Sequence, residues 1–359
     1  MQLTDLETPA LVIDLDRVDS NVTAMAELAR QSGVALRPHV KTHKMPELAT
    51  RQMKAGVVGF TCATLAEAEM VVEVGCDDVL VAFPLVGAIK LRRLAALRER
   101  VRVTVSLDSV EVAEGLAALG ACTPVEVLVE VDTGLGRLGR PPGAPTVALV
   151  EAVARLKGVQ VVGLLTHAGH AYRVTDPDAR LELVRAEVEA LVATRDGCAR
   201  HGIELGTISV GSTPTVRAEL IMEGVTEVRP GTYIFNDTTM VDLGVATEDE
   251  CGASVLATVV GRPSGDRFVI DAGTKSLTSD GVGRPGWVRV ASHPELVMSF
   301  LSEEHGVGYV TRGSQGPAVG DRLRCIPSHV CPVANLFDLA YGVRGDTVVA
   351  TLPVVARGH

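Results

Sequence analysis

Between residues 35 and 235 the chain alternates eight short apolar runs with longer segments of helical pattern, and this alternation constrains the fold more than any other feature. The runs are "ALRPHVK" (35–41), "VGFTCAT" (58–64), "DVLVAFPL" (78–85), "VRVTVSLD" (101–108), "VEVLVEVD" (125–132), "VQVVGLLTHA" (159–168), "GTISVGS" (206–212) and "EVRPGTYIF" (227–235). Between them lie patterns such as "MPELATRQMKAGV", "LAEAEMVVEVG" and "DARLELVRAEVEALVATRDGCARHG". The last has apolar residues at helical spacing, charges opposite, and Gly202 to close it. Eight strands, each followed by a helix, is the count of a (β/α)8 TIM-type barrel. The strands read as continuous apolar runs, as parallel strands covered on both faces do. An open doubly wound sheet shares this periodicity and is the alternative.

The texture changes near residue 245, where "ASVLATVVGRPSGDRFVIDAG", "GWVRVAS", "GVGYVTRG", "GDRLRCIPSHVCP" and "GDTVVATLPVVARG" are short strands separated by turn residues. The expected organisation is an α/β barrel over 18–244 and an all-β domain over 245–359, joined by an N-terminal strand at 8–16, "TPALVIDLD".

Composition narrows the class. The formal net charge of −10 argues against a general nucleic-acid binder. Seven scattered cysteines fit a reducing cytoplasm better than a disulfide framework. No apolar run approaches the roughly 18–20 residues of a membrane span, and the start has no signal-peptide pattern. A cytoplasmic enzyme with a small-molecule substrate, bound to neither nucleic acid nor membrane, is expected.

Four segments carry reactive side chains. In "RPHVKTHK" (37–44), Lys41 ends the first barrel strand, and strand ends of such a barrel face the active-site mouth. Desolvation there would lower the lysine's pKa and make it a nucleophile or base; a surface lysine in a loop fits the placement equally well. His39 and His43 flank it as metal ligands or, more simply, as packing and support. In "VEVDTGLGRLG", glycines 134, 136 and 139 permit a tight loop from which Arg137 projects toward an anion or toward solvent. The small-residue segments "VGSTPT" and "RPGTYIFND" follow the last two strands, a frequent phosphate location in barrels, and offer Gly211, Ser212, Gly231, Thr232 and Tyr233. In "PSHVCP", His329 and Cys331 at H-x-C spacing would share a side of a strand or turn and suit Zn²⁺. A buried cysteine near an unrelated histidine is the plainer reading, and Cys325 lies on the strand leading in.

Taken together, these segments resemble the alanine-racemase-like (fold type III) pyridoxal-phosphate enzymes. The resemblance is closest to their D-serine dehydratase and D-threonine aldolase branch. "TPALVIDLDRVDSNV", "RPHVKTHK", "HAGHAY", "RPGTYIFND", "DAGTKSLTSDG", "EEHG" and "PSHVCPVANLFD" have counterparts there in the same order, over nearly the whole chain. The resemblance implies that Lys41 carries pyridoxal 5'-phosphate, with Lys44 a bystander. It implies that Arg137 bonds the cofactor's phenolic oxygen, and that residues 211–212 and 231–233 hold its phosphate. His329 and Cys331 would bind a divalent metal, Zn²⁺ ahead of Mn²⁺ or Mg²⁺, beside the substrate's β-hydroxyl. The relatives usually have tyrosine before the sixth-strand histidine, whereas Thr166 precedes His167 here. Relatives of this architecture are homodimers.

The implied substrate is a D-β-hydroxy amino acid. In a dehydratase, of D-serine or D-3-hydroxyaspartate type, Lys41 removes the Cα proton and the β-hydroxyl leaves. In a D-threonine aldolase, His170 or His167 deprotonates the hydroxyl and Cα–Cβ breaks. H-x-C accompanies dehydratases and H-x-D aldolases in this branch, so Cys331 favours the dehydratase. An amino-acid racemase would not require the metal motif, and a non-catalytic pyridoxal-phosphate carrier would have little use for the β domain.

Overall fold

The structure, a computed structural model, describes residues 1–280 and 288–358. Gly281, Gly286 and Trp287, the ends of two motifs quoted above, lie outside the described residues. The chain divides into two compact units. One comprises Ala24–Lys41 and Ala49–Gly231; the other comprises Met1–Thr23, Thr42–Leu48 and Thr232–His359.

Strand β1 (Ala10–Asp14) belongs to the second unit. The first unit holds β2 (Ala35–Leu36), β3 (Phe60–Cys62), β4 (Asp78–Val81), β5 (Arg102–Leu107), β6 (Val125–Glu130), β7 (Val159–Leu165), β8 (Thr207–Val210) and β9 (Glu227–Val228). They form one parallel sheet in the order β2-β9-β8-β7-β6-β5-β4-β3. A parallel bridge from His39 to Thr61 joins the two ends, with Thr61 N–H donating to the Pro38 carbonyl at 2.9 Å. The eight-stranded ring of the expected barrel is thereby closed. Its strands are apolar throughout because both faces are covered: Val103, Val105, Leu107, Val127 and Val129 are all buried. The longest helix, Pro177–Arg200, starts where the Asp176 carboxylate accepts the Ala179 N–H at 2.8 Å, and it ends just before Gly202 at φ 76°.

All eight barrel strands are shorter than their apolar runs, and β2 and β9, with two residues each, are shortened most. Pairing of β2 with β9 continues past Leu36 only through Arg37 N–H to Val228 O and His39 N–H to Pro230 O, both 3.0 Å, and the chain then turns at Val40–Thr42. The last run likewise turns, at Thr232–Ile234. Lys41 therefore sits in a turn beyond the strand, not on it.

A short β2 is held by charge. Arg37 is buried, its Nε donating to Glu227 Oε2 at 2.6 Å and its Nη1 to Asp78 Oδ1 at 2.7 Å. Glu227 Oε1 also accepts Ser209 Oγ at 2.5 Å, which ties β9 to β8.

The second unit is a nine-stranded sheet. Its further strands are β10 (Ala253–Ser264), β11 (Arg267–Ile270), β12 (Val288–Val290), β13 (Leu296–Leu301), β14 (Gly306–Val310), β15 (Arg322–Pro327), β16 (Leu339–Arg344) and β17 (Thr347–Pro353). The order is β11-β14-β13-β12-β15-β10-β1-β16-β17. β1 runs antiparallel to β10, with Ala10 opposite Leu256, and parallel to β16, with Val12 opposite Tyr341. Leu3, Leu6, Ala10, Val12, Leu256 and Val343 pack together on it.

Replacing Arg37 by Met leaves the Glu227 carboxylate buried without its cation, a defect that costs about 3–5 kcal/mol. Urea unfolding of Arg37→Met is expected to show a loss of that order, and a loss below about 1 kcal/mol would mean that the pair does not hold the barrel shut.

Candidate active site

In the first unit, Lys41 lies in the turn after β2, half-buried, and its backbone N–H donates to His39 Nδ1 at 3.4 Å. His167 follows β7, and its Nδ1 lies 2.9 Å from the Gly211 carbonyl. A carbonyl only accepts, so Nδ1 carries the proton and Nε2 presents a lone pair. Desolvation, then the charges of Lys41, Arg137 and Arg229, push His167 down to about 3. The same causes push His39 well below its ordinary value. Both rings are neutral near pH 7 in a field of three cations, an arrangement that fits an anionic ligand such as a phosphate ester.

Gly211 lies at φ +133°, and a Cβ there would come within 2.7 Å of the Arg229 backbone nitrogen. Ser212 is buried, with its hydroxyl 2.8 Å from that of Thr215. These small groups at the end of β8 suit a phosphate.

The glycine loop is organised by Asp132, whose Oδ1 accepts the N–H groups of Gly134 and Gly136, each at 3.0 Å. His170 lies over this loop: a Cβ on Gly134 would be 3.4 Å from its Nε2. Desolvation lowers the His170 pKa and Asp132 opposes the shift. Its buried Nδ1 has no hydrogen-bond partner among the described residues. Arg137 is 52% exposed, with Glu130 Oε1 at 3.8 Å.

A buried hydrogen-bond chain runs behind His167. Glu187 Oε2 lies 2.7 Å from Thr133 Oγ1, Thr133 Oγ1 lies 2.9 Å from Thr166 Oγ1, and Thr166 Oγ1 donates to the Val131 carbonyl at 2.8 Å. With Glu187 ionised, two hydroxyl protons would have to serve three contacts. With Glu187 protonated, each contact has one proton and the chain is satisfied from end to end. Burial raises the pKa of Glu187 to about 7 and that of Glu219 well above the ordinary carboxylate value, in agreement with the proton count. Arg229, also buried, donates to Ser209 Oγ and to the Thr166 carbonyl, both at 2.5 Å. The Thr166 hydroxyl is thus bonded within the protein.

The second unit holds the remaining candidates. β15 ends at Pro327, and His329 immediately precedes the short helix Val330–Leu336, with Cys331 in its first turn. The two residues therefore meet at a strand–helix junction, not by alternation along a strand. His329 Nδ1 lies 2.9 Å from Asp280 Oδ2, and its ring is hydrogen-bonded to Cys331. Desolvation works against the imidazolium, but Cys331, Asp237 and Asp280 together raise its pKa to about 9. Cys331 Sγ is 3.2 Å from Thr42 Oγ1 and 3.8 Å from Thr232 Oγ1. Asp237, raised to about 6 by burial, accepts the Val330 N–H at 3.2 Å. Among the described residues no group of three or more His, Cys, Asp or Glu is arranged to hold a metal. An imidazole and a thiol with a carboxylate behind the imidazole fit a metal that keeps positions open, as a catalytic site requires.

The structure gathers Lys41, Arg137, Thr166, His167, His170, Gly211, Ser212 and Gly231 in one unit, and Thr232, Tyr233, His329 and Cys331 in the other. His43 is buried, its Nδ1 accepting the Met45 N–H at 3.0 Å, and Lys44 donates to the Ala356 carbonyl at 3.0 Å. Sequence reasoning did not single out Arg229, Glu187, Glu219, Asp132, Asp237 or Asp280. Asp132 had a legible signal, an acidic residue two before a glycine; the glutamates read as the polar face of a helix.

Residues 13–239 match the family described as alanine racemase, N-terminal domain, and residues 252–343 the one described as putative serine dehydratase domain. The chain belongs to the alanine racemase N-terminal domain family, whose members are pyridoxal-phosphate enzymes. It is 33% identical over 371 residues to the D-threo-3-hydroxyaspartate dehydratase of Delftia sp. (strain HT23), covering 97% of each chain. The crystal structure of D-threonine aldolase from Filomicrobium marinum matches with a TM-score of 0.93 at 35% identity, over 100% of this chain and 98% of that one. A cysteine-to-alanine variant of D-threo-3-hydroxyaspartate dehydratase, solved in a metal-free form, matches with a TM-score of 0.90 at 33% identity, over 100% of both chains.

Because Glu187 titrates higher folded than unfolded, the unfolded chain gives up its proton first as pH rises, and stability falls from the ordinary glutamate range upward. Glu187→Gln keeps the shape and a donor for Thr133 without the charge. It is expected to gain about 1–3 kcal/mol over wild type at pH 8 and little at pH 4.5 by urea unfolding. Equal stabilities at pH 8 would mean that Glu187 is ionised when folded.

Proposed function

We propose that this chain is a pyridoxal-phosphate- and divalent-metal-dependent lyase of D-β-hydroxy amino acids. Within that class we read it as a dehydratase of D-serine or D-3-hydroxyaspartate type, releasing a 2-oxo acid and ammonia. The observation that carries the reading is the His329–Cys331 imidazole–thiol pair backed by Asp280. Its support is the likeness to the Delftia dehydratase over 97% of each chain.

When bound, pyridoxal phosphate supplies an electron sink for charge at Cα, and the metal supplies Lewis acidity at the β-hydroxyl. Lys41 holds the cofactor and moves the Cα proton. The guanidinium of Arg137, half-exposed and with Glu130 Oε1 no closer than 3.8 Å, bonds the phenolic oxygen. Gly211, Ser212, Gly231, Thr232 and Tyr233 take the phosphate. His329 and Cys331 hold the metal, and the soft thiolate favours Zn²⁺ over Mn²⁺ or Mg²⁺. Asp280 fixes the His329 ring by occupying Nδ1, which leaves Nε2 to ligate.

The second reading is a D-threonine aldolase, favoured by the likeness to the Filomicrobium enzyme and by two neutral imidazoles, His167 and His170, each able to accept a hydroxyl proton. Product analysis with D-serine and D-threonine, with added Zn²⁺ or Mn²⁺, separates the two. Keto acid plus ammonia is expected; glycine plus aldehyde as the main product would replace the dehydratase reading by the aldolase one.

Lys41→Ala is expected to abolish the cofactor's visible absorbance. Cys331→Ala should retain that absorbance while losing bound metal and about 10²-fold or more in turnover. Full activity in Cys331→Ala, or after chelation, would remove the metal from the reaction.

A further inference from the structure

The β domain contains a polar cavity of about 240 Å³, below the roughly 300–1,000 Å³ usual for drug-sized ligands. It is lined by Arg17, Ser254, Ser292, His293, Arg322 and Arg324, among others. Arg322 and Arg324 alternate on β15, facing the cavity, and Arg17 comes from the first turn of the helix Leu15–Ser32. Arg17 is satisfied within the protein, by Asp14 at 3.3 Å, Asp249 at 3.5 Å and the carbonyls of Glu248 and Cys251, each at 3.1 Å, whereas the other two arginines are not paired with a carboxylate among the described residues. Arg324, half-buried, makes a single hydrogen bond among the described residues, from Nε to Ser254 Oγ at 3.2 Å, and both its Nη groups are without a partner. Arg322 donates only to carbonyls, those of Leu6 at 2.7 Å and Thr4 at 3.5 Å.

The neighbouring carboxylates bond other groups of the cavity wall, not Arg322 or Arg324. Asp14 pairs with Arg17 at 3.3 Å, Glu248 Oε1 accepts the Ser292 N–H at 3.0 Å, and Glu295 Oε1 lies 2.9 Å from His293 Nδ1. Burial lowers the Arg324 pKa, and Asp14 and Asp346 only partly offset this. Ser292 is held at φ 62°, in the left-handed region, by that bond to Glu248, so the wall of the cavity is fixed in a conformation unusual for serine.

The free Nη donors of Arg324, beside the Arg322 guanidinium in a polar cavity, match the geometry of a phosphate's oxygens. We propose that this cavity is a binding site for a phosphate group, as free phosphate or as a phosphomonoester, separate from the pyridoxal-phosphate residues. It does not depend on which lyase reaction the chain performs.

The test is isothermal titration of the holoenzyme, its pyridoxal-phosphate site filled, with inorganic phosphate and in parallel with glycerol 3-phosphate. Saturable binding of one equivalent per chain is expected, weakened about tenfold or more in Arg324→Gln. Tighter binding of the ester identifies an organic phosphate as the natural source; equal or weaker binding identifies free phosphate. Arg322→Gln, at an exposed side chain, is expected to weaken binding in the same direction and serves should Arg324→Gln not fold. Absence of saturable binding of either probe, or affinities unchanged in the variants, would overturn the assignment.

Discussion

Arg37, held between Glu227 and Asp78, is the interaction on which the closed barrel rests. The strand it extends has only two residues in regular pairing, too few for backbone bonds alone to set its register. A buried ion pair seldom adds net stability over an apolar packing of the same volume, because desolvation offsets the attraction. It does discriminate strongly against any register that leaves one charge unpaired. From Glu227 the polar contacts run through Ser209 to Arg229 and on to the Thr166 carbonyl. The position of the turn bearing Lys41 and that of the segment bearing His167 are consequently set by one connected group of charges.

That group also explains how a chain with net charge −10 presents a positive site. The carboxyls nearest Arg229 are desolvated, and those on Glu187 and Glu219 titrate high, so they contribute less negative charge than their number suggests. Lys41, Arg137 and Arg229 are then opposed only in part, and the neighbouring imidazoles stay neutral.

The barrel was legible because parallel strands covered on both faces announce themselves as uninterrupted apolar runs. Where pairing stopped was not: "ALRPHVK" and "EVRPGTYIF" look like full strands, yet each holds only two residues in regular pairing. In the β domain β13 and β16 went unread, since "LVMSFL" mixes exposed apolar with polar residues and "LAYGVR" carries an internal glycine. The reactive residues with unusual chemistry, Lys41, His329 and Cys331, stood out by type and motif. Their supports did not: Arg37 passed for part of a basic stretch, and Glu187 for a solvated helix face. A charge that is buried by folding looks, in sequence, like any other charge.

The place of β1 in the second sheet carries a consequence for biogenesis. The strand leaves the ribosome before the barrel, yet its neighbours are Leu256 on one side and Tyr341 on the other. It must wait, apolar and unpaired, while the whole barrel is synthesised, and non-local pairing of this kind is slow. A fragment beginning at residue 245 would lack β1 and expose β10 and β16 as two bare edges in the middle of its sheet, an invitation to aggregation. The two halves of this chain are distinct in architecture but not separable by cutting.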